Sequence, residues 1–377
     1  MKLLLPLLVC LLMIGCAPKE TKQPDNPTAD FDSVFQSHAD TAKFNGNVLI
    51  SEHGKIVYQK SFGYANYDTK EMLNDSSLFE LASVSKAFTA MGIMMLKEQG
   101  KLSYDDNVKK YIPELPYEGM TIRHFLTHTS GIPTYEDEKF FEGWDRKKTV
   151  FNDDIIKQFA KLKPPVLFKP GEKWEYSNSA YALLASIIER VSGKTYGEFL
   201  KENIFVPLNM TRSRVYNTRR SAKEIIPNYA YGFIHSDSLK KFMLPDSLME
   251  YYYVITLDGI QGDGTVNSTT GDLFKWDHAL YTEKLVKKAT LEEAFAPVKL
   301  NSDSTYQYGF GWFIAQDSTL GKVVQHSGGW PGYGTYIKRF IDKDHCIIIL
   351  TNNGGYGRKS ILSEVTKRLS TAMAGDK

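Results

Sequence analysis

The 377-residue chain is 42% hydrophobic and 13% aromatic, which is enough apolar material for a core larger than that of a typical domain of ~150 residues. Its 46 basic and 44 acidic residues nearly cancel, so the charge gives no indication of a nucleic-acid or other polyanionic partner.

The N-terminus has the pattern of an export signal. Lys2 precedes an apolar run over residues 3–14, which is shorter than the ~20 apolar residues that a membrane-spanning helix needs. The run is followed by Gly15 and Cys16, a sequence that resembles a bacterial lipobox. We therefore expect residues 1–15 to be a lipoprotein signal peptide and Cys16 to be lipidated. The alternative is an ordinary secretory signal with an incidental cysteine.

The predicted processing defines the mature protein. Residues 16–30 are polar and proline-containing and are interpreted as a tether, which leaves a folded domain over residues 31–373. Loss of Lys2 changes the net charge to 45 − 44 = +1. The expected location is the bacterial cell envelope, where an exported lipoprotein is anchored in the membrane through its N-terminal lipid.

Of the three cysteines, Cys10 is expected to leave with the signal and Cys16 would be lipidated, so only Cys346 would remain in the domain. A disulfide within the mature domain is thereby excluded. Cys346 begins an apolar, strand-like run, and we interpret it as a small core thiol rather than a nucleophile.

Strand-like segments occur at both ends of the domain, and helical periodicity dominates between them. Strands are predicted over residues 47–50, 55–60, 322–325, 334–341 and 345–351, and helices over residues 87–98, 153–162, 180–191, 196–204 and 359–373. This order predicts an α+β fold in which a sheet is built from both termini, about residues 31–82 and 260–373. A helical insertion subdomain over about residues 83–259 lies between them.

The first candidate site is residues 83–86, S-V-S-K, just before a helical run. A helix that begins near Ser83 places Ser83 and Lys86 one turn apart on the same face. A serine hydroxyl needs a neighbouring base to become a nucleophile, and lysine can serve if its pKa is lowered. The alternative is that Ser83 is a helix cap and Lys86 is solvated.

The second and third candidates follow later in the chain. Tyr176 and Asn178 precede a helix; a tyrosine beside a lysine can act as a general base, and an asparagine amide can hold a substrate amide. Taken alone, they are explained as well by packing and helix capping. Residues 326–329, H-S-G-G, follow a strand, and their glycines permit a ligand to approach the strand edge.

Together, and in this order, these segments resemble the serine penicillin-recognising superfamily, in its class C β-lactamase, DD-peptidase and esterase branch. They match the family motifs S-x-x-K, Y-x-N and K/H-x-G. Further segments similar to family landmarks lie at residues 126–131, 170–172, 262–264 and 308–312, so the resemblance spans nearly the whole mature chain. The implied fold is β-lactamase/transpeptidase-like, with an antiparallel sheet flanked by helices.

The resemblance also implies a mechanism. Ser83 attacks a carbonyl, Lys86 and Tyr176 manage its proton, Asn178 orients the substrate, and the backbone N–H groups of Ser83 and Gly329 form an oxyanion hole. Water then releases the acyl-enzyme, and no metal or organic cofactor is expected. The expected substrates are D-amino-acid peptides, including peptidoglycan-derived ones, β-lactam-like amides or small esters. The alternative is a non-hydrolytic penicillin-binding or sensor protein of the same fold.

The chain departs from class C β-lactamases at His326, where those enzymes carry lysine. A histidine with a pKa near 6.5 is mostly neutral at neutral pH and makes a weaker partner for a β-lactam carboxylate. A DD-peptidase or esterase is therefore a better prediction than an efficient β-lactamase. We expect the His326 ring to contact a substrate carboxylate; alternatively, it only packs at the strand edge and donates to a neighbouring hydroxyl.

His124 and His128 have a spacing that would allow a shared zinc ion on one helix face. No acidic partner motif accompanies them, and the segment resembles a family framework turn. We therefore predict no metal site.

Overall fold

A computed structural model of the protein describes residues 27–41, 43–145, 148–216, 225–354 and 358–375. The predicted signal peptide and Cys16 lie outside the described residues. Within those residues, no helix is long and apolar enough to cross a membrane.

The fold is organised around a six-stranded antiparallel sheet. Its strands come from both ends of the chain, as predicted: β1 Gly46–Glu52, β2 Lys55–Phe62, β10 Phe313–Asp317, β11 Gly321–Trp330, β12 Tyr333–Phe340 and β13 His345–Thr351. Their order across the sheet is β10-β11-β12-β13-β1-β2. The remaining strands are short and form three small sheets: β3 Phe79–Glu80, β4 Arg214–Val215, β5 Ile234–Ser236, β6 Lys241–Met243, β7 Val266–Ser268, β8 Val298–Lys299 and β9 Thr305–Tyr306.

Ten α-helices surround the sheet in the described part of the chain. They are α1 Pro27–Asp40, α2 Ser85–Glu98, α3 Ile122–Leu126, α4 Asn152–Leu162, α5 Asn178–Ser192, α6 Tyr196–Leu200, α7 Tyr253–Thr256, α8 Thr270–Ala279, α9 Lys288–Ala294 and α10 Arg358–Gly375.

The central strands are apolar on both faces because both faces of the sheet are covered. In β13, Ile347 and Ile349 face the cluster that contains side chains of α1 and α10, whereas Ile348 and Leu350 face the larger core. Successive side chains of a strand point to opposite faces, so a strand buried on both sides is a continuous apolar run. Cys346 belongs to the larger core and is fully buried, and burial raises the pKa of its thiol well above its ordinary value.

The larger core positions the two helices that carry the first and second motifs. Helix α2 is buried on nearly all sides, and Gly92 allows it to lie close to α5, since a Cβ there would approach Ile188 Cδ1 to 2.8 Å. Helix α5 begins after Ser177, whose hydroxyl accepts the Ala180 N–H, and ends at Gly193 in the left-handed conformation.

The predicted elements are present, with differences at their ends. Helix α1 begins at Pro27, inside the predicted tether, because Phe31 and Phe35 bury against the sheet. Strand β10 was not predicted. Strand β11 continues to Trp330, so the third motif lies inside a strand rather than after one.

Candidate active site

Ser83 lies in a single turn of 3-10 helix, Ala82–Val84, that leads directly into α2. The predicted α-helix therefore starts at Ser85 rather than near Ser83. Ala82 has a φ of +47°, a conformation that costs a residue with a Cβ about 1 kcal/mol or more. The Thr335 hydroxyl holds this turn by donating to the Leu81 carbonyl over 2.6 Å.

Lys86 is fully buried and its ammonium contacts three oxygens. Nζ lies 3.2 Å from Ser83 Oγ, 2.7 Å from Asn178 Oδ1 and 2.8 Å from the Asp263 carbonyl oxygen. Three acceptors match the three N–H donors of an ammonium. The predicted Ser83–Lys86 pair is thus within hydrogen-bond distance, as proton transfer between them requires.

Tyr176 and Asn178 approach the same lysine from the start of α5. The ring centroid of the half-buried Tyr176 lies 4.9 Å from Lys86 Nζ. Asn178 is the first residue of α5, and Nδ2 of its side chain donates to Glu136 Oε1 over 3.0 Å. The helix cap is Ser177, so Asn178 is left to contact Lys86.

Strand β11 carries the third motif past the Ser83 turn. A Cβ on Gly328 would lie 2.1 Å from the Leu81 carbonyl oxygen, so only glycine allows this approach. A Cβ on Gly329, in contrast, would meet open space. Gly329 lines the same cavity of about 80 Å³ as Ser83 and Asn178.

His326 does not lie where it was expected. The residue is 1% exposed; Nδ1 is 2.7 Å from the Ser327 carbonyl oxygen and Nε2 is 3.2 Å from Tyr308 Oη. Burial, together with the charge of Lys86, lowers the pKa of His326 to about 3. The expected pKa near 6.5 is therefore corrected, because the ring is buried; the contact of His326 with a substrate carboxylate stays a prediction.

His128 was considered in the sequence only as a possible zinc ligand. Its ring contacts the Ser177 backbone N–H and Tyr308 Oη, whereas the His124 ring contacts Thr121. The two rings therefore have different hydrogen-bond partners. Within the described residues, no group of three or more histidine, cysteine, aspartate or glutamate side chains is arranged to hold a metal ion.

Four further residues contact the motifs and were not predicted as site residues: His128, Tyr308, Glu136 and Asp263. Three of them lie in segments already recognised as family landmarks, which was the available signal. Glu136 lies in none of these segments.

The cavity at Ser83 shares part of its wall with a larger cleft of about 1600 Å³. The shared lining residues are Tyr135, Glu136, Leu257, Gly329 and Trp330. A substrate larger than the carbonyl group that reaches Ser83 would have room in this cleft.

The family assignment follows from a match over nearly the whole domain: a family model described as Beta-lactamase matches residues 31–364. The chain belongs to the Beta-lactamase family. It is 48% identical over 327 residues to "Penicillin-binding protein 4*" of Bacillus subtilis (strain 168), covering 87% of this chain and 72% of that protein.

Solved structures confirm the β-lactamase/transpeptidase-like fold. A penicillin-binding protein from Bacillus halodurans superposes with a TM-score of 0.76 at 24% identity, over 91% of this chain and 98% of the other. A D-amino acid amidase from Ochrobactrum anthropi SV3, complexed with L-phenylalanine amide, superposes with a TM-score of 0.72 at 22% identity, over 91% and 98%. The fold is thus shared by penicillin-binding proteins and by an amide hydrolase.

Proposed function

We propose that this protein is a serine hydrolase that forms an acyl-enzyme on Ser83 with D-amino-acid peptides, related amides or small esters. The observation that supports this most directly is the position of the Lys86 amine, 3.2 Å from Ser83 Oγ and fixed by Asn178 and the Asp263 carbonyl. A serine nucleophile requires an adjacent base, and this requirement explains the contact between Lys86 and a serine on a strained turn. A purely structural role of the lysine would not require that contact.

In the proposed reaction, Ser83 Oγ attacks the carbonyl carbon and its proton passes to the Lys86–Tyr176 pair. The backbone N–H groups of Ser83 and Gly329 stabilise the oxyanion. The proton then goes to the leaving amine or alcohol. Water releases the acid from Ser83, with Tyr176 as the base.

A peptidase, amidase or esterase is favoured over an efficient β-lactamase because the third motif supplies no cation. The ring of His326 is buried and its pKa is lowered to about 3. At neutral pH it therefore supplies no positive charge to the carboxylate of a β-lactam. The D-amino acid amidase with the same fold was also solved with D-phenylalanine, which makes D-phenylalanine amide a suitable first amide to test.

Two serines near the start of α2 provide a matched test of the nucleophile. Ser83→Ala is expected to abolish covalent labelling by a fluorophosphonate. Ser85→Ala is expected to retain it, since Ser85 is fully buried and its Oγ accepts the Val266 N–H over 3.0 Å. Intact mass spectrometry reads the label. Labelling that survives Ser83→Ala would exclude Ser83 as the nucleophile.

A second candidate function is supported by the relative named as a penicillin-binding protein: a protein that is acylated but does not turn over. A chromogenic short-chain ester and D-phenylalanine amide separate the two. An enzyme releases product continuously, whereas a sensor gives one burst, equal to its own concentration, and then stops.

We also propose that the protein is exported and anchored to the envelope membrane through Cys16. The support is the short apolar run followed by Gly15 and Cys16. Cys16→Ser should move the protein from the detergent phase to the aqueous phase in phase partitioning. Equal partitioning of variant and parent would indicate an ordinary secreted protein.

A further inference from the structure

A chain of buried side chains connects the second and third motifs behind Tyr176. His128 Nδ1 lies 3.1 Å from the Ser177 N–H nitrogen, His128 Nε2 lies 3.1 Å from Tyr308 Oη, and Tyr308 Oη lies 3.2 Å from His326 Nε2. The side chains of His128, Tyr308 and His326 are each at most 1% exposed to solvent.

His128 also holds the backbone on both sides of Tyr176. Its carbonyl oxygen accepts the Glu175 N–H over 2.9 Å, and its ring accepts the Ser177 N–H. The ring centroids of His128 and Tyr176 are 4.4 Å apart. His128 has a φ of +59°, a conformation rare outside glycine, so the turn that delivers it is itself strained.

The backbone groups at the two ends of the hydrogen-bonded chain assign the ring proton of each histidine. The Ser177 N–H can only donate, so His128 Nδ1 is an acceptor and the neutral ring carries its proton on Nε2. That proton goes to Tyr308 Oη, and the Tyr308 hydroxyl donates in turn to His326 Nε2. His326 then carries its proton on Nδ1, which donates to the Ser327 carbonyl over 2.7 Å.

The surroundings keep this chain neutral. Burial and the nearby Lys86 charge lower the pKa of His128 well below its usual range, and burial raises that of the Tyr308 hydroxyl well above its own. The Lys86 ammonium is the facing cation, and Tyr176 is the neighbouring phenol on the side of the site. Tyr181 also packs on His128; its hydroxyl donates to the Leu126 carbonyl and is a further hydrogen-bond neighbour of the Tyr308 hydroxyl.

We propose that His128, Tyr308 and His326 are positioning residues, which act as one neutral hydrogen-bonded chain to hold Tyr176 against Lys86. In this arrangement His326 helps to fix the position of the general base Tyr176, through Tyr308 and His128. It does not bind a substrate carboxylate. This role for Tyr176 rests on the proposed function, whereas the proton arrangement does not.

The proton arrangement is tested by ¹⁵N NMR of the histidine rings, assigned with His128→Asn and His326→Asn. Between pH 5 and pH 8, we expect both rings to be neutral, with His128 protonated at Nε2 and His326 at Nδ1. Tyr308→Phe should shift the ring resonances of both. A cationic ring, or the opposite tautomer on either histidine, would overturn the proposal without any bearing on catalysis.

The positioning role is tested with two matched losses of a buried tyrosine hydroxyl, Tyr308→Phe and Tyr117→Phe, at a temperature where circular dichroism shows both variants folded. Tyr308→Phe is expected to slow fluorophosphonate acylation and kcat on a chromogenic ester about tenfold, a part of the 10²–10⁴ that general acid–base groups contribute, with KM little changed. Tyr117→Phe should retain the parent acylation rate, since the Tyr117 hydroxyl donates to the Pro164 carbonyl. Equal slowing of the two variants, or no slowing with Tyr308→Phe, would refute the role. Failure of the parent to turn over any ester or amide would instead refute the proposed function.

Discussion

The environment of His326 determines how stability responds to acid. Its pKa in the folded protein is about 3, below the ~6.5 of an unfolded histidine, so the unfolded chain binds the additional proton between these two values. Stability from this group is therefore fully present above about pH 6.5 and is lost as the pH falls toward 3. His128, whose pKa is also lowered, changes stability in the same direction.

We expect the free energy of unfolding to fall by up to about 1.4 kcal/mol per pH unit for each of these histidines as the pH decreases below 6.5. Urea unfolding between pH 4 and pH 7 measures this slope. The variant His326→Asn should be less stable at pH 7 and should show a slope smaller by about one proton. Equal slopes for parent and variant would show that His326 is protonated in the folded state.

At the scale of elements, the contact between β11 and the Ser83 turn fixes the nucleophile. Gly328→Ala would place a Cβ 2.1 Å from the Leu81 carbonyl oxygen and 3.2 Å from Ala82 Cβ, so the turn or the strand has to move. A displacement of about 1 Å is enough to lower the rate about 10²-fold.

The neighbouring glycine is the matched control for this prediction. A Cβ on Gly329 meets open space, and alanine keeps the backbone N–H proposed for the oxyanion hole. Gly329→Ala is therefore expected to retain far more ester hydrolysis and a higher thermal midpoint than Gly328→Ala. The ester hydrolysis rates and melting curves of the two variants test this prediction. Equal losses of activity and stability would mean that the contact with Leu81 does not cause the defect of Gly328→Ala.

The sequence was sufficient for elements whose pattern is local. The apolar run of β13 and the periodicity of α5 predicted their type, and the first two motifs predicted that Ser83 and Asn178 lie at Lys86. The surroundings of His326 were not predictable, because they depend on Tyr308, His128 and Lys86, which different parts of the fold bring together. Helix α1 was missed because its apolar residues are few and follow a polar, proline-containing segment.

At the scale of the whole molecule, the sheet lies between two apolar cores, of which one supports the candidate site and the other joins the two ends of the described chain. The larger core contains α2 and α5 and thus carries the first two motifs. The smaller core joins α1 and α10, which are the two ends of the described chain, across the opposite face of the sheet. A defect in the smaller core is therefore expected to lower stability without altering the site.

Phe35 on α1 tests this separation. The ring is fully buried, with centroids 5.3 Å from Phe44 and 5.6 Å from Tyr58. Phe35→Ala leaves a cavity and should lower the free energy of unfolding by about 3–5 kcal/mol, whereas alanine at the exposed Met72 should change it by less than about 0.5 kcal/mol. Below the melting transition, both variants should retain the parent rate of fluorophosphonate labelling at Ser83, because the sheet lies between the cavity and the nucleophile. A labelling rate that falls in Phe35→Ala while the protein is still folded would show that the two cores are coupled through the sheet.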